Sequence, residues 1–101
     1  MQPVSLTCHK DRTRIVLKGA LDVSAAATAY GTLDQALARG LPVQLQAGDL
    51  ERTDAGGLQL LLLFVRSARR RGLTLDWRSV SPALASSAEL LGLSSALELP
   101  R

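Results

Sequence analysis

Apolar and polar residues alternate twice near the start of the chain. Val4 to Cys8 reads Val-Ser-Leu-Thr-Cys, and Thr13 to Lys18 carries the apolar set Ile15, Val16 and Leu17. Alternation with a period of two marks half-buried strands. The polar segment His9-Lys10-Asp11-Arg12 is short enough for a hairpin turn, so these two strands are expected to be antiparallel. Gly19-Ala20-Leu21-Asp22 then ends the second strand. From Ser24, a good N-cap, the period changes: Ala26, Tyr30, Leu33 and Leu37 recur at helical spacing and predict a helix to about Arg39, with Gly31 a mild flaw and Gly40 suited to its C-terminal cap.

Pro42 precedes a short alternating strand, Val43 to Ala47, with Val43, Leu45 and Ala47 on one side and Gln44 and Gln46 on the other. Next, a polar loop from Asp49 turns into a leucine-rich helix beginning at Asp54-Ala55-Gly56-Gly57-Leu58 and stopped by Gly72. Asp54 is its expected N-cap. Leu73 to Trp77 alternates again as a strand. Ser81-Pro82 starts a last helix, with proline at its first position, running to about Leu91 and stopped by Gly92. Ser94 to Leu99 fits one further helical turn. The order β-β-α-β-α-β-α predicts an α/β domain, a mixed sheet of about four strands packed against three to four helices.

On the central helix, which advances about 100° per residue, Leu58, Leu61, Leu62, Val65 and Ala68 share one broad face suited to the sheet. Leu60, Leu63 and Phe64 fall on another side. A helix apolar on two sides is either buried twice or presents one side to a partner. The expectation taken here is a partner surface made of Leu60, Leu63, Phe64 and the Ala55–Gly57 turn. Gly56 and Gly57 each cost about 1 kcal/mol of helix propensity relative to alanine, which is accounted for if they let another backbone or a ligand approach the first turn closely.

Length and composition narrow the functional classes. With 101 residues, 47% of them hydrophobic, the chain is expected to form one compact domain with a core of Leu, Val and Ala. Cys8 is the only cysteine and His9 the only histidine, which excludes an intramolecular disulfide and a Cys/His zinc cluster. No secretory signal and no run long enough for a membrane helix are present, so a reduced, cytoplasmic setting without membrane insertion is expected. His9 is read as a solvated turn residue, which leaves no nucleophile with a nearby base. Asp22 and Asp54 each stand where a strand gives way to a helix, and either cap local structure or share a site. The Gly-Gly turn admits a phosphate or nucleotide reading, without the phosphate-loop pattern that would support it. Arg66, Arg69, Arg70 and Arg71 complement the negative end of the central helix. No aromatic interleaving supports nucleic-acid binding there.

Three stretches together resemble a known family: Gly19-Ala20-Leu21-Asp22-Val23-Ser24, the Asp54-Ala55-Gly56-Gly57-Leu58 turn, and Ser81-Pro82-Ala83-Leu84 with Leu90-Leu91-Gly92-Leu93. In order and spacing they resemble the STAS domains of bacterial anti-sigma-factor antagonists, over almost the whole chain. The resemblance implies a cytoplasmic, non-enzymatic bacterial signalling domain without a cofactor. It would bind a protein partner, often a kinase-like ATPase, through the region around the turn, here Asp22, Asp54, Ala55, Gly56 and Gly57.

In partner-switching members the residue after the turn's aspartate is a serine or threonine whose phosphorylation breaks the complex. Here it is Ala55, which has no hydroxyl. Gln46 and Ala20 also stand where the family often has acidic residues, and Thr53 precedes the aspartate, outside the family's frame. The run Asp54 to Leu62 is also similar to the STAS subunit of bacterial phospholipid ABC transporters, which docks on the transporter's ATPase. The segment from Leu58 through Trp77 and Ser81-Pro82 is similar to small STAS proteins of chemotaxis gene clusters.

Overall fold

The computed structural model describes residues 3–100. Its elements are β1 (Val4–Cys8), β2 (Thr13–Leu21), α1 (Ala26–Ala38), β3 (Val43–Thr53), α2 (Ala55–Arg70), β4 (Leu75–Val80) and α3 (Pro82–Leu90). The strands form one mixed sheet in the order β1-β2-β3-β4, with β1 antiparallel to β2, and β2, β3 and β4 mutually parallel. This is the α/β architecture that the alternation of periods predicts.

Register explains which face is covered. Val4 pairs with Leu17, Ile15 with Leu45, and Leu45 with Trp77. Thr13, Ile15 and Leu17 of β2 and Val43, Leu45 and Ala47 of β3 are buried, while Arg14, Val16, Gln44 and Gln46 between them are half-buried. Side chains alternate across a strand, so the buried set lies on one face. There it joins Leu33 and Leu37 of α1, Leu58, Leu61 and Val65 of α2, and Leu84 and Ala88 of α3 in one core cluster.

The helix ends follow local chemistry. Asp54 caps α2 as expected, its side chain accepting from the Gly57 amide at 2.9 Å. Ser81 caps α3, accepting from the Leu84 amide at 3.1 Å. At the end of α2, Gly72 has a φ of +72°, its amide donates to the Arg69 carbonyl, and the Leu73 amide donates to the Ala68 carbonyl. This is a Schellman closure, and it takes Leu73 out of the following strand. β4 therefore begins at Leu75 and reaches Val80, two to three residues later than its alternation predicts.

The structure corrects four further expectations. First, Ser24 does not cap α1. The helix starts at Ala26 after Ala25 without a side-chain cap, and Asp22 closes the turn before it, accepting from the Ser24 hydroxyl at 2.6 Å and the Ala25 amide at 3.1 Å. Second, β3 does not stop at Ala47. It continues to Thr53 because β2 also extends, and Lys18 pairs with Asp49 and Leu21 with Thr53 after two register shifts. The stretch read as a polar loop is thus the protruding end of a paired strand, and Leu50 alone turns into the core.

Third, Leu60 and Phe64 do not face outward. α1 packs beside α2 and buries both, with Phe64 only 3% exposed. The second apolar side of α2 is therefore internal. Leu63 alone of the three stays at the surface, 54% exposed. Fourth, His9 is half-buried rather than solvated: its carbonyl accepts from the Arg39 guanidinium, and its Nε2 is enclosed without a partner among the described residues.

Candidate functional site

The parallel strands β2 and β3 end side by side, at Leu21 and Thr53, and each runs directly into the start of a helix. The Thr53 hydroxyl donates to the Leu21 carbonyl at 2.8 Å and locks the two ends together. Asp54 adds a second tie: Oδ1 accepts from the Gly57 amide while Oδ2 accepts from the Val23 amide at 3.3 Å. One carboxylate thereby fixes the first turn of α2 and the loop leading to α1. Asp22 holds that loop from the other side through Ser24 and Ala25. The Ser24 hydroxyl first and the Ala25 amide next hold the Asp22 carboxyl below its ordinary value, against the opposing effect of desolvation, with the least contribution from Arg52.

Asp22 and Asp54 thus stand at one edge of the sheet, as the shared-site reading required. Each is engaged by amides or a hydroxyl of the chain itself, which is also what capping alone requires.

At Gly57 the close approach is that of another backbone. The glycine is buried, and a methyl group built on it would overlap the Leu21 carbonyl oxygen and lie 2.5 Å from Thr53 Oγ1. The close approach that this glycine allows is made by the chain's own β2, and no space is left for a partner at that position. Gly56 is half-buried against Val23, to whose Cβ a methyl would come within 3.0 Å. The exposed tip is formed by Val23, Asp54 and Ala55, with Val23 71% exposed. Val23 was not singled out from the sequence; a large apolar residue next to the loop aspartate was the signal available.

Along α2 the exposed residues after this tip are Gln59, Leu63, Arg66, Arg69 and Arg70. Leu63 lies seven residues, about two turns, beyond Gly56 on the same helix face. Leu60 and Phe64 lie under α1 and do not reach that surface. Among the described residues no group of three metal-ligating side chains is brought together, and no helix is long and apolar enough to cross a membrane.

The family model for the Mlab STAS domain matches residues 4–99. The chain belongs to the STAS family. Three solved structures share the STAS fold seen here. The anti-sigma factor antagonist SpoIIAA in its unphosphorylated form is 19% identical, with a TM-score of 0.74 over 91% of this chain and 83% of that one. An anti-sigma factor antagonist from Mycobacterium paratuberculosis is 18% identical, with a TM-score of 0.72 over 91% of this chain and 79% of that one. The protein Mglu is 23% identical, with a TM-score of 0.70 over 81% of this STAS chain but 21% of its own length, so this chain spans about a fifth of it. No curated protein sequence matches the chain.

Proposed function

We propose that this STAS domain is a non-catalytic protein-interaction module, similar in role to an anti-sigma-factor antagonist, whose contact surface is the tip formed by Asp22, Val23, Asp54, Ala55 and Gly56 and continued along α2 to Leu63. The observation that carries the reading is Ala55: it is exposed as the first residue of α2, directly after the capping aspartate, where partner-switching members of the family have a phosphorylatable hydroxyl. Without that oxygen the surface has no phosphate switch at this position and is constitutively competent to bind. A phosphate would add up to about two negative charges beside Asp54 and Asp22 and would oppose an acidic or apolar contact.

A second reading is favoured by the family model, which is that of the Mlab branch of STAS domains, and by the similarity of Asp54 to Leu62 to the STAS subunit of phospholipid ABC transporters. Under it the partner is the transporter's ATPase, met through the same tip. The chemotaxis-linked reading uses this surface as well.

The test is affinity capture from the native cells with the wild type and with Ala55→Glu, which mimics a charged phosphosite. Capture of one discrete partner that Ala55→Glu loses, at an unchanged thermal midpoint, supports the reading. Equal capture by both proteins removes the tip as the contact surface. The reading also expects no appreciable binding of nucleotides or short DNA, and mass spectrometry showing stoichiometric phosphate on Thr53 or a nearby residue contradicts a constitutive binder.

A further inference from the structure

The sheet ends in β1 on one side and β4 on the other, and the two outer edges differ. β4 carries Asp76 and Arg78, and its register with β3 is shifted after Leu45. Charges and irregular pairing keep a sheet edge from pairing with another chain. β1, though short, has neither: Val4-Ser5-Leu6-Thr7-Cys8 is uncharged, contains no proline, and pairs with β2 in an unbroken register.

The ladder with β2 fixes which backbone groups that edge offers. The Pro3 carbonyl accepts from the Lys18 amide at 2.9 Å, and the His9 amide donates to the Arg12 carbonyl at 3.0 Å, so Pro3 and His9 both face β2. Along an antiparallel strand, residues that bond to one neighbour alternate with residues that face the other side. Ser5 and Thr7 therefore complete the ladder with β2. The N–H and C=O groups of Val4, Leu6 and Cys8 point outward.

A second copy of the chain matches this pattern. Antiparallel pairing about a twofold axis at Leu6 sets Leu6 against Leu6, Val4 against Cys8 and Ser5 against Thr7 of the two copies. Every outward N–H then meets an outward C=O, and no like charges are opposed along the strands. Moving the axis to Val4 or Cys8 leaves outward groups without a partner. The adjoining side of α1 is compatible as well. Thr28, Thr32 and Gln35 share a helix side with Arg39, at spacings of three and four residues. That side is turned to the β1–β2 hairpin, which occupies the Arg39 guanidinium, and the other three residues are uncharged.

We infer that two copies of this chain pair through the outer edge of β1 into a twofold dimer with one continuous sheet. β2 and β3 of one copy then run opposite to those of the other, so the two Ala55 tips lie at opposite ends of the dimer. Such a dimer presents two contact surfaces to two partner molecules. The pairing goes beyond the interaction-module reading and uses no residue of the tip.

The test is sedimentation of the whole chain under reducing conditions between about 1 μM and 1 mM. The dimer fraction is expected to rise with concentration. Hydrogen exchange should slow at Val4, Leu6 and Cys8 as the dimer forms, while Ser5 and Thr7, already paired with β2, should change little. Cys8→Pro removes an outward donor and leaves the β2 ladder intact, at a position where an edge strand tolerates proline. It should weaken the dimer at least about tenfold, with a nearly unchanged thermal midpoint at concentrations where both proteins are monomers. The register is read by disulfide formation in a Cys8→Ser background. A mixture of the Ser5→Cys and Thr7→Cys proteins should cross-link in higher yield than either protein alone, because these two positions face each other.

A monomer at every concentration, a dimer that Cys8→Pro leaves intact, or a mixture that cross-links no better than its parts overturns the inference. So does a dimer that Ala55→Glu dissociates, which would make the tip the contact between copies. If the dimer behaves as expected while partner capture ignores Ala55→Glu, the tip reading alone fails. If the chain stays monomeric while capture depends on Ala55, the dimer alone is refuted.

Discussion

At Gly57 two effects of opposite sign meet. Alanine would improve helix propensity by about 1 kcal/mol, yet its methyl group would overlap the Leu21 carbonyl oxygen. That oxygen is held by the Thr53 hydroxyl at the end of a strand and cannot yield without loosening the junction of β2 and β3. Overpacking of this kind costs about 1–3 kcal/mol, so Gly57→Ala should be net destabilising by up to about 2 kcal/mol in chemical denaturation. At Gly56 the nearest obstacles are the Val23 Cβ at 3.0 Å and, at 3.3 Å, the Val23 Cα and an Asp54 carboxylate oxygen, a milder crowding than at Gly57, so Gly56→Ala should destabilise less than Gly57→Ala. The same method separates the leucine-rich face of α2. Leu61→Ala should cost about 2–5 kcal/mol and Phe64→Ala about 3–5 kcal/mol through the cavities they leave, whereas Leu63→Ser should be nearly neutral.

At the scale of elements, what could be read from the sequence was whatever local chemistry determines. Asp54 and Ser81 cap their helices, and Gly40, Gly72 and Gly92 follow the helix ends at positive φ, because such signals act within a few residues. What could not be read depends on contacts distant in the chain. The polar residues from Gly48 to Thr53 belong to a strand only because β2 extends alongside them. Leu60 and Phe64 are internal only because α1 lies on them, and Gly57 is required by Leu21, a residue of another element. Around the candidate site, the placement of Asp22, Asp54 and Ala55 where strands give way to helices could be read locally, while the exposure of Tyr30 could not, since it fits the helical apolar period of α1.

Arg39 is a second long-range device without a sequence signal. From the end of α1 its guanidinium donates to the Arg12 carbonyl at 2.9 Å, to the hydroxyl of fully buried Thr13 at 2.8 Å, and to the His9 carbonyl. It thus ties α1 to the β1–β2 hairpin. Arg39→Met keeps the aliphatic stem but removes this donor from the Thr13 hydroxyl and the His9 carbonyl, while the Arg12 carbonyl keeps the His9 amide at 3.0 Å, and it should cost about 1–3 kcal/mol. Hydrogen exchange should then rise first in the hairpin, ahead of β3, where the core is deepest.

Over the whole molecule, the segment after α3 closes the structure through contacts with two other elements. Trp77 of β4 donates its indole N–H to the Leu97 carbonyl at 2.9 Å, and Arg69 of α2 forms a two-pronged ion pair with Glu98, its Nε donating at 2.8 and 3.1 Å. Glu98 has a φ of +59°, a left-handed conformation in which a non-glycine residue is disfavoured, so the ion pair accompanies a local conformational cost. Hydrogen bonding to Arg69 is the main cause that holds the Glu98 carboxyl below its usual 4.5, and the same bond raises the Arg69 guanidinium.

The sign for stability follows from that direction. A carboxyl with a depressed folded-state value contributes stability that is fully present above its unfolded value of 4.5 and is lost as pH falls through the lower folded value. Both side chains are a third to a half exposed, 48% for Arg69 and 35% for Glu98, so solvent screening limits the contribution to no more than about 1 kcal/mol. Glu98→Gln keeps the backbone strain and removes the charge, which isolates the pair. Its unfolding free energy should lie below that of the wild type at neutral pH, and the two should converge as the pH is lowered beneath the usual carboxylate range. A gap that persisted unchanged into acid would show that Glu98 acts through packing or backbone geometry and that its charge plays no part in holding the C-terminal segment to α2.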